Sequence, residues 1–141
     1  MTTLRSPLPR GRFRVGCDIV DIDDIRASME RFGGRYANHV FTEGELEGAG
    51  LGTPRAPAAL ARMFAAKEAA IKALRPGRDR PPWRTIEVTH STNGTGLQMH
   101  REAADLADGA EIVEWWVTMG SDGRRATAVV VARRAHEEHS S

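Results

Sequence analysis

Apolar and polar residues alternate along residues 13–20, and this period of two predicts a β-strand. One face of that strand is apolar and consists of Phe13, Val15, Cys17 and Ile19. Asp18 lies on the opposite face, still within an apolar segment. A half-buried aspartate requires a cation, hydrogen bonds or a metal ion as a partner, so Asp18 is a candidate functional residue.

A change to helical spacing follows the strand, with apolar residues at Ile22, Ile25, Met29 and Phe32. This pattern predicts a helix that ends at Gly33-Gly34. Thr42 and Glu45 have the spacing of a capping box, which predicts a short helix beginning there. The alanine-rich composition of residues 58–74 favours a long helix.

The second half of the chain is predicted to be mainly strands. Residues 83–89 alternate as a strand does, and residues 100–108 have helical spacing. Residues 111–119 and 125–133 are predicted to form a hairpin, because the glycine-containing turn at 120–123 joins them. The order of elements predicts an α+β fold, with a mainly antiparallel sheet packed on the long helix.

Length and composition predict one globular domain. The chain has 141 residues, of which 40% are hydrophobic and 28% charged. Residues 13–134 are expected to form the domain, between a disordered arm at 1–12 and a flexible tail at 135–141. No segment approaches the roughly 20 apolar residues of a membrane span, and no secretion signal opens the chain, so a cytoplasmic protein without a membrane partner is expected. The single cysteine excludes an internal disulfide framework.

Charge is segregated along the chain although the net charge is +1. Residues 55–84 carry eight basic and two acidic residues, whereas residues 18–47 carry eight acidic and three basic ones. The near-neutral total argues against a nucleic-acid partner. The basic segment favours either an anionic ligand or an acidic protein surface, with a solvated helix face as the alternative.

Candidate chemistry lies on the long helix at Lys67, Glu68 and Lys72. Lys67 falls within the apolar stripe of that helix, so it must extend outward or meet a carboxylate. Glu68 and Lys72 have the spacing of an ordinary helical ion pair. If folding brings Glu68 beside Asp18, the two carboxylates favour a cation between them, and Mg²⁺ accepts one or two carboxylates together with phosphates. Neighbouring lysines would neutralise phosphate oxygens, so this set predicts a pyrophosphate site.

Three motifs in this order resemble a known family. They are Gly-x-Asp-Ile-Val at 16–20, Phe-Ala-Ala-Lys-Glu-Ala at 64–69, and Trp-x-x-Ile-Glu-Val at 83–88. Together they resemble the holo-acyl-carrier-protein synthases, the small class of 4′-phosphopantetheinyl transferases, over about residues 13–132.

The resemblance implies an enzyme that moves 4′-phosphopantetheine from coenzyme A to a serine of an apo acyl carrier protein of fatty-acid or polyketide synthesis, releasing adenosine 3′,5′-bisphosphate. It implies Asp18 and Glu68 as Mg²⁺ ligands, and Glu68 and Lys72 as catalytic residues. The coenzyme A contacts it implies are Arg62, Lys67, Lys72 and Ser121. It also implies a homotrimer with the site between protomers.

Two departures from the family pattern leave alternatives open. Ser121 stands where the family has a histidine. Asp24 stands where relatives carry a basic residue that meets their acidic carrier proteins. One alternative is a family member that has lost transfer and acts as a carrier-protein-binding subunit. The other is a nucleotide-phosphate-binding domain with different chemistry.

Overall fold

The structure is a computed structural model that describes residues 12–135. The predicted arm and tail therefore lie outside the described residues, except for Arg12 and Ala135. Both form backbone hydrogen bonds: Arg134 N donates to the Arg12 carbonyl oxygen, and Ala135 N donates to the Glu111 carbonyl oxygen. Within the described part of the chain, no helix is long and apolar enough to cross a bilayer.

The elements follow in the order β1 Phe13–Asp21, α1 Ile22–Phe32, α2 Gly34–Val40, α3 Glu43–Ala49, α4 Ala56–Leu74, β2 Ile86–Ser91, β3 Gly94–Met99, α5 Arg101–Gly109, β4 Ile112–Ser121 and β5 Arg125–Arg134. Strands β1, β5 and β4 form an antiparallel sheet with β5 at its centre, and β2 pairs with β3 in a separate hairpin. Helix α4 packs across the inner face of the three-stranded sheet. The predicted α+β class is confirmed.

Small residues let β1 approach α4 unusually closely. Several alanines of α4 have no exposed surface, among them Ala65, Ala66, Ala69, Ala70 and Ala73. A Cβ atom at Gly16 would lie 1.9 Å from the Ala69 carbonyl oxygen, so only glycine fits there. This contact fixes β1 against α4 two residues before Asp18.

The sheet has two apolar faces, of which α4 covers one. The buried face of β5 consists of Ala126, Ala128, Val130 and Ala132. The opposite face stays exposed in a single chain: Val15 is 62% and Ile19 66% exposed, and Trp116 lies on the same face. We refer to this exposed surface of β1, β5 and β4 as the outer face.

The sequence pattern was misleading at three places. Helix α1 ends at Phe32 with Gly33 as its C-cap at a positive φ of 54°, as predicted, but the pattern did not indicate the second helix, α2, which begins immediately at Gly34. Residues 83–85 form a 3₁₀ turn, and strand β2 starts only at Ile86. Strand β3 was not predicted, because its glycines obscure the alternation of apolar residues.

Candidate active site

A cleft of about 840 Å³ opens between β1, α1 and α4, and Asp18 and Glu68 both line it. We call it the carboxylate cleft. Its other walls include Asp24, Tyr36, His39, Phe64, Trp83 and Arg125. The structure therefore brings the two predicted metal ligands to one cavity, although they are 50 residues apart in sequence. Burial raises the pKa of Tyr36 to about 12, so its phenol stays protonated at the cleft wall.

Asp18 is held by the lysine one turn beyond Glu68. The Lys72 ammonium donates to Asp18 Oδ1 at 3.0 Å and to the Cys17 carbonyl oxygen at 2.8 Å. The Asp18 side chain is 20% exposed, whereas that of Lys72 is 54% exposed. Lys72 thus ties α4 to β1 and holds a positive charge beside Asp18.

Glu68 is oriented by two donors that sequence reasoning did not assign to the site. Arg80 Nη2 lies 2.7 Å from Glu68 Oε2, and Trp83 Nε1 donates to Glu68 Oε1 at 2.9 Å. The indole ring also packs against Phe64 and His39. Trp83 belongs to the third motif and Arg80 to the basic segment, but neither pattern indicates that these side chains meet Glu68.

The two carboxylates that line the cleft, Asp18 and Glu68, are suitable ligands for Mg²⁺. The described residues contain no cluster of three or more His, Cys, Asp or Glu side chains that could hold a metal. Mg²⁺ does not require one, because it commonly takes one or two carboxylates and completes its shell with water and substrate phosphates. In this structure each carboxylate pairs with a partly exposed side-chain cation, Asp18 with Lys72 and Glu68 with Arg80.

Lys67 lies outside the carboxylate cleft. Its ammonium forms an ion pair with Glu45 Oε1 at 2.7 Å, and both side chains are 0% exposed. It also donates to the backbone carbonyls of Trp83, at 3.0 Å, and Ile86. Burial lowers the pKa of Lys67, and the adjacent Glu45 carboxylate opposes that shift.

This placement corrects the expectation that Lys67 contacts coenzyme A. A side chain without exposed surface, whose ammonium already has a carboxylate and two carbonyls as partners, has no free donor for a phosphate. Glu45 completes the network by accepting from Thr42 N at 2.9 Å and Val88 N at 2.8 Å. The capping box predicted at Thr42 and Glu45 is present, and its glutamate joins α3, α4 and β2.

Glu87 of the third motif is also engaged in holding elements together. It accepts from Thr42 Oγ1 at 2.7 Å and lies 3.0 Å from His100 Nε2. The hydrogen bond from Thr42 and the contact with His100 lower the pKa of Glu87. These bonds join α3 and the start of α5 to β2.

Arg62 and Ser121 come together, but away from the carboxylate cleft. Arg62 Nη1 donates to Ser121 Oγ at 2.8 Å, and neither residue lines the cleft. Arg62 lines a separate cavity of about 250 Å³ with His90 and Met119. One chain therefore presents these predicted coenzyme A contacts in two places: Lys72 beside Asp18, and Arg62 with Ser121 outside the cleft.

The fold has counterparts among solved structures. Holo-[acyl-carrier-protein] synthase from Neisseria meningitidis superposes with a TM-score of 0.76 at 27% identity, covering 86% of this chain and 98% of that one. A CoA complex of ACPS from Chronobacterium ammoniagenes superposes with a TM-score of 0.73 at 31% identity, covering 88% of this chain and 98% of that one. The cleft thus lies in a fold that one of these relatives uses to bind CoA.

Sequence comparison defines the class and then the family. A sequence model of the 4′-phosphopantetheinyl transferase superfamily matches residues 14–130. The holo-[acyl-carrier-protein] synthase of Carboxydothermus hydrogenoformans is 37% identical over 119 residues, which cover 84% of this chain and 96% of that protein. The chain therefore belongs to the 4′-phosphopantetheinyl transferase superfamily and, within it, to the holo-acyl-carrier-protein synthase family. The predicted resemblance and enzyme class are confirmed.

Proposed function

We propose that this chain transfers 4′-phosphopantetheine from coenzyme A to a serine of an apo acyl carrier protein, with Mg²⁺ as cofactor. The observation that carries the proposal is the carboxylate cleft, which Asp18 and Glu68 both line and where Lys72 pairs with Asp18. The family membership supports the same reaction. We also propose that the protein is cytoplasmic, as expected from the sequence.

In the proposed reaction, the serine oxygen attacks the phosphorus that bears the pantetheine arm. The bond from that phosphorus to the bridging pyrophosphate oxygen breaks, and adenosine 3′,5′-bisphosphate leaves. Glu68 accepts the serine proton, and Lys72 offsets negative charge on the pyrophosphate. When bound by Asp18 and Glu68, Mg²⁺ would supply further charge neutralisation to the phosphates.

A homotrimer is part of the proposal. The outer face exposes Val15, Ile19 and Trp116, and apolar side chains grouped on one exposed face are typical of a protein–protein interface. Arg62 and Ser121 lie outside the cleft of their own chain. An assembly that covers the outer face and adds Arg62 and Ser121 to a neighbouring cleft would account for both observations.

Intact-mass spectrometry of an apo carrier protein tests the transfer. After incubation with the enzyme, coenzyme A and Mg²⁺, we expect the carrier to gain the mass of one phosphopantetheine, and a chelator should prevent that gain. A carrier protein that binds the chain but gains no mass would instead support the transfer-deficient binding subunit. A gain that persists in excess chelator would contradict the role of Mg²⁺.

A further inference from the structure

A second groove adjoins the carboxylate cleft and has the opposite charge. Its volume is about 530 Å³, and it shares His39 and Trp83 with the cleft. The remaining lining residues are Asn38, Arg80, Pro81, Pro82, Arg84 and Arg101. We call it the arginine groove. His39 and Trp83, with their rings 5.6 Å apart, form the ridge between the two cavities.

The two cavities differ in the sign of their lining charges. The cleft carries Asp18, Asp21, Asp24 and Glu68 with a single arginine among its described lining residues. The groove carries three arginines and His39, and none of its described lining residues is acidic. An acidic protein surface is therefore attracted to the groove and repelled by the carboxylates at the cleft rim.

The groove cations are largely uncommitted to carboxylates within the chain. Arg84 forms no ion pair with any described residue, and it is exposed. Arg101 Nε lies 3.9 Å from Glu102, an exposed pair that contributes little. Only Arg80 makes a short ion pair, and its partner is Glu68 in the cleft.

The backbone at Arg101 is strained. Its φ of 41° lies in the left-handed region, which non-glycine residues rarely adopt, at the first position of α5. Such strain persists where the surrounding structure enforces it, and it is common at binding sites. Here it coincides with a cation that lines the groove.

We infer that the arginine groove docks the acidic surface of the apo carrier protein, so that the carrier serine reaches Glu68 across the ridge of His39 and Trp83. This inference rests on the proposed function and specifies where its protein substrate binds. It replaces helix α1 as the docking element, because Asp21, Asp23 and Asp24 make the start of α1 acidic. Charged groups at the rim of an interface act mainly on association rate, so docking here should depend strongly on salt.

Steady-state kinetics of Arg84→Gln/Arg101→Gln test the inference. We expect the KM for apo carrier protein to rise about 3- to 10-fold at low salt, with the difference from wild type shrinking as salt is added. The KM for coenzyme A should change less than about twofold. A KM that rises for coenzyme A instead would show that the groove binds nucleotide phosphates, and an unchanged carrier KM at low salt would also overturn the inference.

Two further variants separate docking from folding. Arg55→Gln removes the same charge from an exposed arginine at the start of α4, about 20 Å along the helix from Glu68, and should leave the carrier KM at the wild-type value. Arg101→Gly removes the cation but relieves the positive φ, so it should unfold at no lower urea concentration than wild type while still weakening docking. Equal effects of Arg55→Gln and Arg84→Gln would contradict a local docking site.

Calorimetric titration of the apo carrier protein into the enzyme keeps the two proposals distinguishable. Suppose that wild type binds the carrier more tightly than the arginine variants do, but that no transfer occurs. The docking site is then supported, and the proposed function fails. If transfer occurs but the arginine variants bind the carrier as wild type does, only the docking site fails.

Discussion

Replacing Gly16 by alanine should separate the strand that carries Asp18 from the helix that carries Glu68. The added Cβ would lie 1.9 Å from the Ala69 carbonyl oxygen and 3.2 Å from the Ala73 backbone nitrogen. Ordinary contact begins near 3.4 Å, so the shortfall against Ala69 is about 1.5 Å. Both neighbours are backbone atoms of α4, so no side-chain rotation can relieve the clash.

Overpacking of this kind costs about 1–3 kcal/mol, and backbone neighbours place Gly16→Ala at the upper end. We expect the free energy of unfolding to fall by about 3 kcal/mol. Asp18 is two residues away and shares Lys72 with the Cys17 carbonyl. Since a misplacement of about 1 Å can cost about 100-fold in rate, transfer should fall by about that factor in the variant that remains folded.

Urea unfolding followed by circular dichroism measures the loss of stability. The transfer rate in buffer without urea measures the loss of activity. Gly109→Ala is the matched control, because nothing lies within 4 Å of the added Cβ. It should be neutral or stabilising by less than about 1 kcal/mol. If Gly16→Ala were as stable as Gly109→Ala, the close contact between β1 and α4 would not exist as described.

Three other substitutions test separate parts of the site. Lys67→Met leaves Glu45 buried without its cation, so the free energy of unfolding in urea should fall by about 3–5 kcal/mol. A small fall together with a raised KM for coenzyme A would instead indicate that Lys67 contacts the ligand. Ser121→His should tighten coenzyme A binding in calorimetric titration, because an imidazole reaches further than a hydroxyl; unchanged or weaker binding counts against Ser121 as a contact. Asp24→Arg removes an acid from the cleft rim, so transfer to an acidic carrier protein should be several-fold faster at low salt; no gain at any salt concentration would argue that the carrier does not pass this rim.

The parts of the fold that were predictable from sequence are those where period and capping agree. The alternation before Asp21 and the capping box at Thr42 each specify one local structure. The motifs also predict Asp18 and Glu68 as a pair of metal ligands, and the structure places both in the lining of one cleft. The second helix after Gly33 was missed because a glycine with positive φ permits either a stop or a corner, and packing decides between them.

Side-chain direction was the part that sequence could not supply. Lys67 and Glu68 are consecutive, yet one is buried against Glu45 and the other opens into the cleft. The helical period placed Lys67 on the apolar stripe correctly, but the buried carboxylate that receives it comes from a helix 22 residues earlier. Arg80 and Trp83 were likewise not assigned to Glu68, because the loop between α4 and β2 has no period that fixes its path.

The most direct test of the account is the Mg²⁺ dependence of transfer by Asp18→Asn and Glu68→Gln, with urea unfolding measured on the same samples. The account predicts that both variants lose transfer at limiting Mg²⁺ while their unfolding midpoints stay close to wild type, because each substitution removes a metal ligand without opening a cavity. Near-normal transfer rates by both variants at limiting Mg²⁺ would contradict a shared metal site at Asp18 and Glu68.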